Sequence, residues 1–120
     1  TIVRGKAMSC GAILASFGDD GLRFMDKDAT LMIHDVSSYA FGKIEELKSD
    51  VREAERLNKK VYTMMARNCG KPDDYFVDLI HDKGHADWFL DAEESKQHNI
   101  VQHLRVPNLK GTVSVSIELD

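Results

Sequence analysis

Only two cysteines, Cys10 and Cys69, occur in the 120 residues. That is too few for the disulfide framework of a small secreted domain, so a reducing, cytoplasmic setting is expected. No apolar run reaches the roughly 18 residues that a membrane-spanning helix needs, and no membrane partner is expected. A basic excess is missing too. Sixteen Lys and Arg stand against 20 Asp and Glu, a formal net charge of −4, which argues against nucleic acid as a partner. There is no internal repeat, low-complexity tract or linker. The start, Thr1-Ile2-Val3-Arg4-Gly5, has neither an initiator methionine nor a secretory leader, so processing or truncation is expected. His81 and His85 are spaced like a helical metal pair, but Gly84 lies between them and no further ligand is evident. Neither metal nor cofactor is expected.

What is present is an ordinary globular composition, 42% hydrophobic and 30% charged, and about one domain's worth of chain. Thr1 to Val3 could end a strand. Ser9 to Phe17 is small and apolar on all sides, as in a buried helix. Leu22 to Met25 is a short strand candidate, and Ala29 to His34 reads as a buried strand. The clearest element is a helix from about 42 to 69. Its apolar residues Ile44, Leu47, Val51, Ala54, Leu57, Val61 and Met64 step by three or four throughout. Glu55 and Lys59 have the spacing of a helical ion pair. At 1.5 Å per residue the helix would run roughly 42 Å, longer than a chain of this size needs, so it is expected to project and meet a partner. Gly70 stops it and Pro72 can open the next, over Asp73 to His81. Asp91 and Glu94 form a capping box for a helix to about His98, with Asn99 as a left-handed C-cap. Ile100-Val101 begins a short strand, and Thr112 to Leu119 alternates Val113, Val115, Ile117 and Leu119 with polar residues. Helices interleaved with short apolar strands make the class α/β.

Three residues could carry chemistry. Ser9 lies among small neighbours at the mouth of a buried helix, where the backbone can turn sharply and the Cys10 N–H would point at a developing oxyanion. It could equally be a plain N-cap. His34 ends a buried strand, a good place for a general base or for a structural edge histidine. Asp87 sits beside Trp88-Phe89 just before a capped helix. It could orient an imidazole or be a surface loop aspartate. Taken singly, each fits the structural role.

Together they fit one family in order and in spacings of 25 and 53 residues. Ala7-Met8-Ser9-Cys10-Gly11-Ala12, Gly21-Leu22-Arg23-Phe24, Ala29-Thr30-Leu31-Met32-Ile33-His34, the helix 42–69 with Gly70-Lys71-Pro72, and Asp87-Trp88-Phe89-Leu90-Asp91-Ala92-Glu93-Glu94 resemble successive segments of the Clp protease proteolytic subunit. The likeness covers residues 1 to about 104. It implies the ClpP/crotonase fold of repeated β-β-α units with helix 42–69 as a projecting handle. It implies a serine endopeptidase with Ser9 as nucleophile, His34 as base, Asp87 as orienting acid and the Cys10 N–H as one oxyanion donor. The implied partners are a peptide or protein substrate, further copies in stacked rings, and an ATPase unfoldase or a separate N-terminal chain.

The chain also departs from that pattern. Family subunits carry strands and helices before the nucleophile, including a second oxyanion donor on a Gly-rich turn. Here Ser9 is ninth, so the isolated chain is expected not to cleave peptides by itself. Cys10 replaces the usual Met, Asp35-Val36-Ser37-Ser38 a Gln-Pro and Gly-rich segment, and Asn99 a Gly. Residues 105–120 form an extension whose strand pattern could pair with a neighbour's edge. The divergence suggests a bacteriophage or other outlying member. Two other readings stand beside the peptidase: a non-catalytic scaffold subunit of the same ring, and a crotonase-fold enzyme acting on acyl-CoA thioesters.

Overall fold

A computed structural model describes residues 1–36 and 40–120. Ser37 and Ser38, part of the segment expected to flank substrate, lie outside the described residues. In chain order the elements are β1 (Ile2–Val3), β2 (Lys6–Met8), α1 (Cys10–Ser16), β3 (Phe24–Met25), β4 (Thr30–Ile33), α2 (Ile44–Asn68), α3 (Tyr75–Asp82), β5 (Trp88–Leu90) and α4 (Ala92–Gln97). The fold is mixed α/β.

Strand β4 is the middle of a three-stranded sheet. It runs parallel to β2, with Met8 beside Met32, and antiparallel to β5, with Ile33 beside Trp88. A second small sheet pairs β1 with β3 in parallel. Parallel neighbours need a crossover, and α1 lies within the connection between β2 and β4. Side chains alternate across the sheet. Leu31, Ile33, Trp88 and Leu90 are buried on one face, while Met32 is half-buried and Phe89 is exposed on the other. The buried face joins one core with Ala12 and Ala15 of α1, Tyr62, Met65 and Ala66 of α2, Phe76 and Ile80 of α3, and Ile100 and Val101 beyond α4. Each large apolar side chain buried there contributes about 1.5–3 kcal/mol.

One charge is buried with them. Arg23 is 1% exposed. Its Nε donates to the Ile100 carbonyl, one terminal nitrogen to the Gly18 carbonyl and the other to the Asn99 carbonyl, each at 3.0 Å. The guanidinium therefore joins the N-terminal third of the chain to the segment after α4. Gly18 has to be glycine beside it: a Cβ there would meet Thr1 Oγ1 at 2.7 Å and Arg23 Cγ at 2.9 Å.

Helix α2 has 25 residues, about 37 Å at 1.5 Å per residue. Its C-terminal end is covered by the core, but Ile44, Val51 and Met64 of the apolar stripe are exposed. Exposed ion pairs lie at Glu45–Lys48 and Glu53–Arg56, three residues apart. Glu55–Lys59, expected from its spacing, is not among the ion pairs of the described residues. The radius of gyration is 17.7 Å, against about 14 Å for a compact domain of this length.

At the ends of α4 the Asp91 half of the expected capping box and the left-handed Asn99 are both present, while the return bond from the Glu94 side chain is not among those of the described residues. The Asp91 carboxylate accepts from the Glu94 N–H at 2.8 Å and starts α4, and Asn99 ends it with φ of 57°. Other segments differ. Ile100 and Val101 are buried without strand pairing, and the bridge to β3 falls at His103 opposite Phe24. Residues 106–120 carry no regular structure, and Val113, Val115, Ile117 and Leu119 are 83–92% exposed. The alternation that predicts a strand is present, but this single chain offers it no paired edge. No helix of the described residues is long and apolar enough to cross a membrane.

Candidate functional site

Ser9 stands at the junction of β2 and α1. Its N–H continues the β2–β4 ladder, donating to the Met32 carbonyl at 2.9 Å, while its own carbonyl accepts from the Ala12 and Ile13 N–H groups at 3.0 and 3.2 Å. One residue thus ends a strand and starts a helix. Its φ and ψ are 54° and −115°, a region that side-chain-bearing residues rarely occupy. It holds the N-cap position, yet its hydroxyl makes no capping hydrogen bond. The plain N-cap role therefore does not describe this serine. Among the described residues the hydroxyl makes no hydrogen bond, and the turn carries about 1–3 kcal/mol of conformational cost. Just beyond lies the exposed Cys10, whose N–H opens α1 and has no carbonyl four residues back within the helix.

The sheet brings the other two candidates to the same end. His34 follows the last residue of β4 and is half-buried. Asp87 precedes the first residue of β5 and is exposed. Because Ile33 pairs with Trp88 in an antiparallel ladder, one further step sets Asp87 opposite His34. By strand alternation both belong to the face of Met32 and Phe89, away from the core. Ser9, one step beyond the Met8–Met32 pair, lies one strand from His34 and across β4 from Asp87. Three residues far apart in the chain thus meet at one sheet end, where β2 and β4 finish and β5 begins.

The three side chains are not joined. Among the described residues no hydrogen bond links Ser9, His34 and Asp87. His34 Nδ1 instead contacts the carbonyl of Asp35. The backbone of His34 is held from α2: the Tyr62 hydroxyl donates to its carbonyl. Burial, with the Asp35 carboxylate adding to it, pushes the Tyr62 phenol up to about 12, so it stays a donor throughout the neutral range. Asp35 accepts from Asn58 of α2 at 3.0 Å and pairs with His85 at 2.5 Å. A groove of about 270 Å³ opens beside this network, lined by Asp35, Val36, Val51, Ala54 and Asn58 with the carboxylates of Asp50 and Glu55.

Sequence reasoning missed Tyr62 and Asn58, and read His85 only as half of a metal-like pair and Asp35 only as part of a departing segment. The apolar stripe of α2 draws attention to Val61 and Met64 and away from the polar residues beside it, and nothing local marks a tyrosine as a backbone anchor. The second cysteine offers no nucleophile. Cys69 is buried, and burial pushes its thiol up to about 11 against the pull of Arg23 and Lys71. His81 and His85 stack edge to face with ring centres 5.4 Å apart, and no group of three or more His, Cys, Asp or Glu among the described residues could hold a metal ion.

A strand-to-helix turn with a strained serine, and a histidine and an aspartate at the adjoining ends of neighbouring strands, form a backbone arrangement on which a serine hydrolase can be built. The family model for Clp protease matches residues 1–107, nearly the whole chain. The chain therefore belongs to the Clp protease family, whose members are serine peptidases that form oligomeric rings and act on protein substrates.

Proposed function

We propose that this chain is a catalytic subunit of a ring-forming peptidase in which Ser9, His34 and Asp87 act as the triad. The observation that carries the reading is the conformation of Ser9, a strained turn whose hydroxyl makes no capping bond, one strand from a histidine and an aspartate that lie just beyond the last paired residues of β4 and β5. Ser9 Oγ attacks the carbonyl carbon of the scissile bond and its proton passes to His34. The Cys10 N–H donates to the developing oxyanion. His34 then returns the proton to the leaving amine, and water hydrolyses the acyl-serine by the same route. Asp87 accepts from the imidazole and keeps its tautomer. That step requires the His34 ring to leave the Asp35 carbonyl and face Asp87. We assign the turn to assembly. The exposed Ile44 and Val51 of α2, with Phe41 just before it, form an apolar face suited to ring-on-ring packing of a handle helix. In this reading residues 1–104 are the catalytic part, and 105–120 an extension that can pair as a strand with a neighbour.

One observation favours a second reading, a non-catalytic subunit that keeps the fold: His34 is turned onto Asp35 and the triad is not hydrogen-bonded. Hydrolysis of a fluorogenic peptide by the assembled protein separates the two. The triad reading expects turnover that falls by at least about 10³-fold in Ser9→Ala and His34→Ala. A preparation whose turnover survives Ser9→Ala, or an assembled ring with no turnover, contradicts it.

A further inference from the structure

Two residues that the chemistry above does not use connect its two halves. Asp35 follows His34, and His85 stands two residues before Asp87. Asp35 Oδ2 and His85 Nδ1 are 2.5 Å apart. The other carboxylate oxygen accepts from Asn58 Nδ2 at 3.0 Å. Asn58 Oδ1 in turn accepts from the Val36 N–H at 3.0 Å. One carboxylate thereby joins the end of β4, the middle of α2 and the turn between α3 and β5.

That turn is shaped for the contact. Gly84 and His85 have φ of 66° and 59°, so two successive residues take the left-handed conformation. The His85 N–H closes the turn onto the Ile80 carbonyl at 3.0 Å. The neighbouring charges are turned elsewhere: Lys83 lies over the Trp88 ring at 4.8 Å, and Asp82 faces His81 at 3.9 Å. His85 is 55% and Asp35 31% exposed in their side chains. A pair this wet contributes little to stability, because water competes for both partners. A held geometry is what it can supply.

We propose that Asp35 and His85 form a positioning clamp that sets the segment bearing His34 against the segment bearing Asp87, with Asn58 as its anchor on α2. The proposal rests on the triad reading. Neither residue touches the reacting atoms. The contact of the His34 ring with the Asp35 carbonyl has to break for catalysis, so the clamp acts instead through the Asp35 side chain, which fixes the backbone just after His34 to α2 and to the turn before β5. The His85 side chain ties down the start of the stretch that leads into Asp87. Without the clamp the two strand ends would be free to separate just beyond the last paired residues, and small displacements of catalytic groups are costly in rate.

The test is the rate at which a fluorophosphonate acylates Ser9 in the assembled protein, for His85→Ala, Asp35→Ala, the double variant and His85→Asn. An asparagine amide can supply an N–H donor near the place of imidazole Nδ1. Each alanine should slow acylation about 10-fold with probe affinity unchanged, the double variant should be no slower than the worse single one, and His85→Asn should recover to within about 3-fold. Wild-type rates in the alanine variants, losses that multiply, or a His85→Asn as slow as His85→Ala would overturn the clamp. A second readout separates this from failure of the triad reading. In imidazole NMR spectra the His85 Nδ1–H should give a hydrogen-bonded signal that Asp35→Ala abolishes. A labelled wild type without that signal overturns the clamp alone; the signal in a wild type that never labels overturns the triad reading, and the clamp's catalytic role with it.

Discussion

Replacing Ser9 by glycine should make the protein more stable while removing its nucleophile. The fair comparison is with Ser9→Ala, which also lacks the hydroxyl but keeps a Cβ. At φ 54° and ψ −115° a residue with a Cβ pays about 1–3 kcal/mol, whereas glycine occupies the region freely. Glycine gives back about 0.5–1 kcal/mol through the greater freedom of its unfolded chain. The hydroxyl makes no capping bond whose loss would enter the balance. The difference is about 1 kcal/mol in favour of glycine, and for a domain this size that is roughly 4 °C in Tm. Thermal unfolding followed by far-UV circular dichroism, with both variants at equal concentration, measures it. If Ser9→Gly melts at or below Ser9→Ala, the turn is not strained, and the principal argument for Ser9 as a nucleophile is lost.

Arg23→Met leaves the Gly18, Asn99 and Ile100 carbonyls short of a buried donor. A cost of about 3–5 kcal/mol is expected, read as a fall in the urea midpoint of about 2 M. Arg23→Lys should rescue little of it, since an ammonium cannot reach three carbonyls in a plane. Stability should also fall on acidification through His98. Burial first, then the Lys71 cation, hold its imidazole below the ordinary value of 6.5, and its Nδ1 lies 2.6 Å from the Tyr75 hydroxyl. The unfolded chain therefore takes up the proton first. The contribution is intact above pH 6.5 and is lost as pH falls below that value and through the lower folded one. Urea midpoints at neutral and mildly acidic pH should differ more in the wild type than in His98→Asn. Val51→Glu on the exposed face of α2 should leave the fold intact and shift light scattering toward smaller assemblies; unchanged assembly size would remove α2 as the packing surface.

Helix α2 was readable because seven apolar residues keep one period over six turns, and the α4 cap because the Asp91 carboxylate acts on a backbone N–H three residues on. Strands β2 and β5 were not. Lys6-Ala7-Met8 and Trp88-Phe89-Leu90 are too short for a period to emerge, and they exist as strands because β4 pairs with both. The same holds for the site. Resemblance to the segments of one family named Ser9, His34 and Asp87, but their meeting at one sheet end depends on the Met8–Met32 and Ile33–Trp88 registers, which no local pattern encodes. The burial of Arg23 is not legible for a similar reason, since two of the carbonyls that satisfy it lie 76 and 77 residues away. In Thr112–Leu119 the opposite occurs: the strand pattern is legible and no partner edge accompanies it among the described residues.

The most direct test of the central claim is to treat the assembled protein with a fluorophosphonate probe and map the modified residue by mass spectrometry. The account predicts a single adduct at Ser9 that is lost in His34→Ala and slowed in Asp87→Asn. An assembled wild type left unlabelled at Ser9, or labelled there equally well without His34, would contradict it.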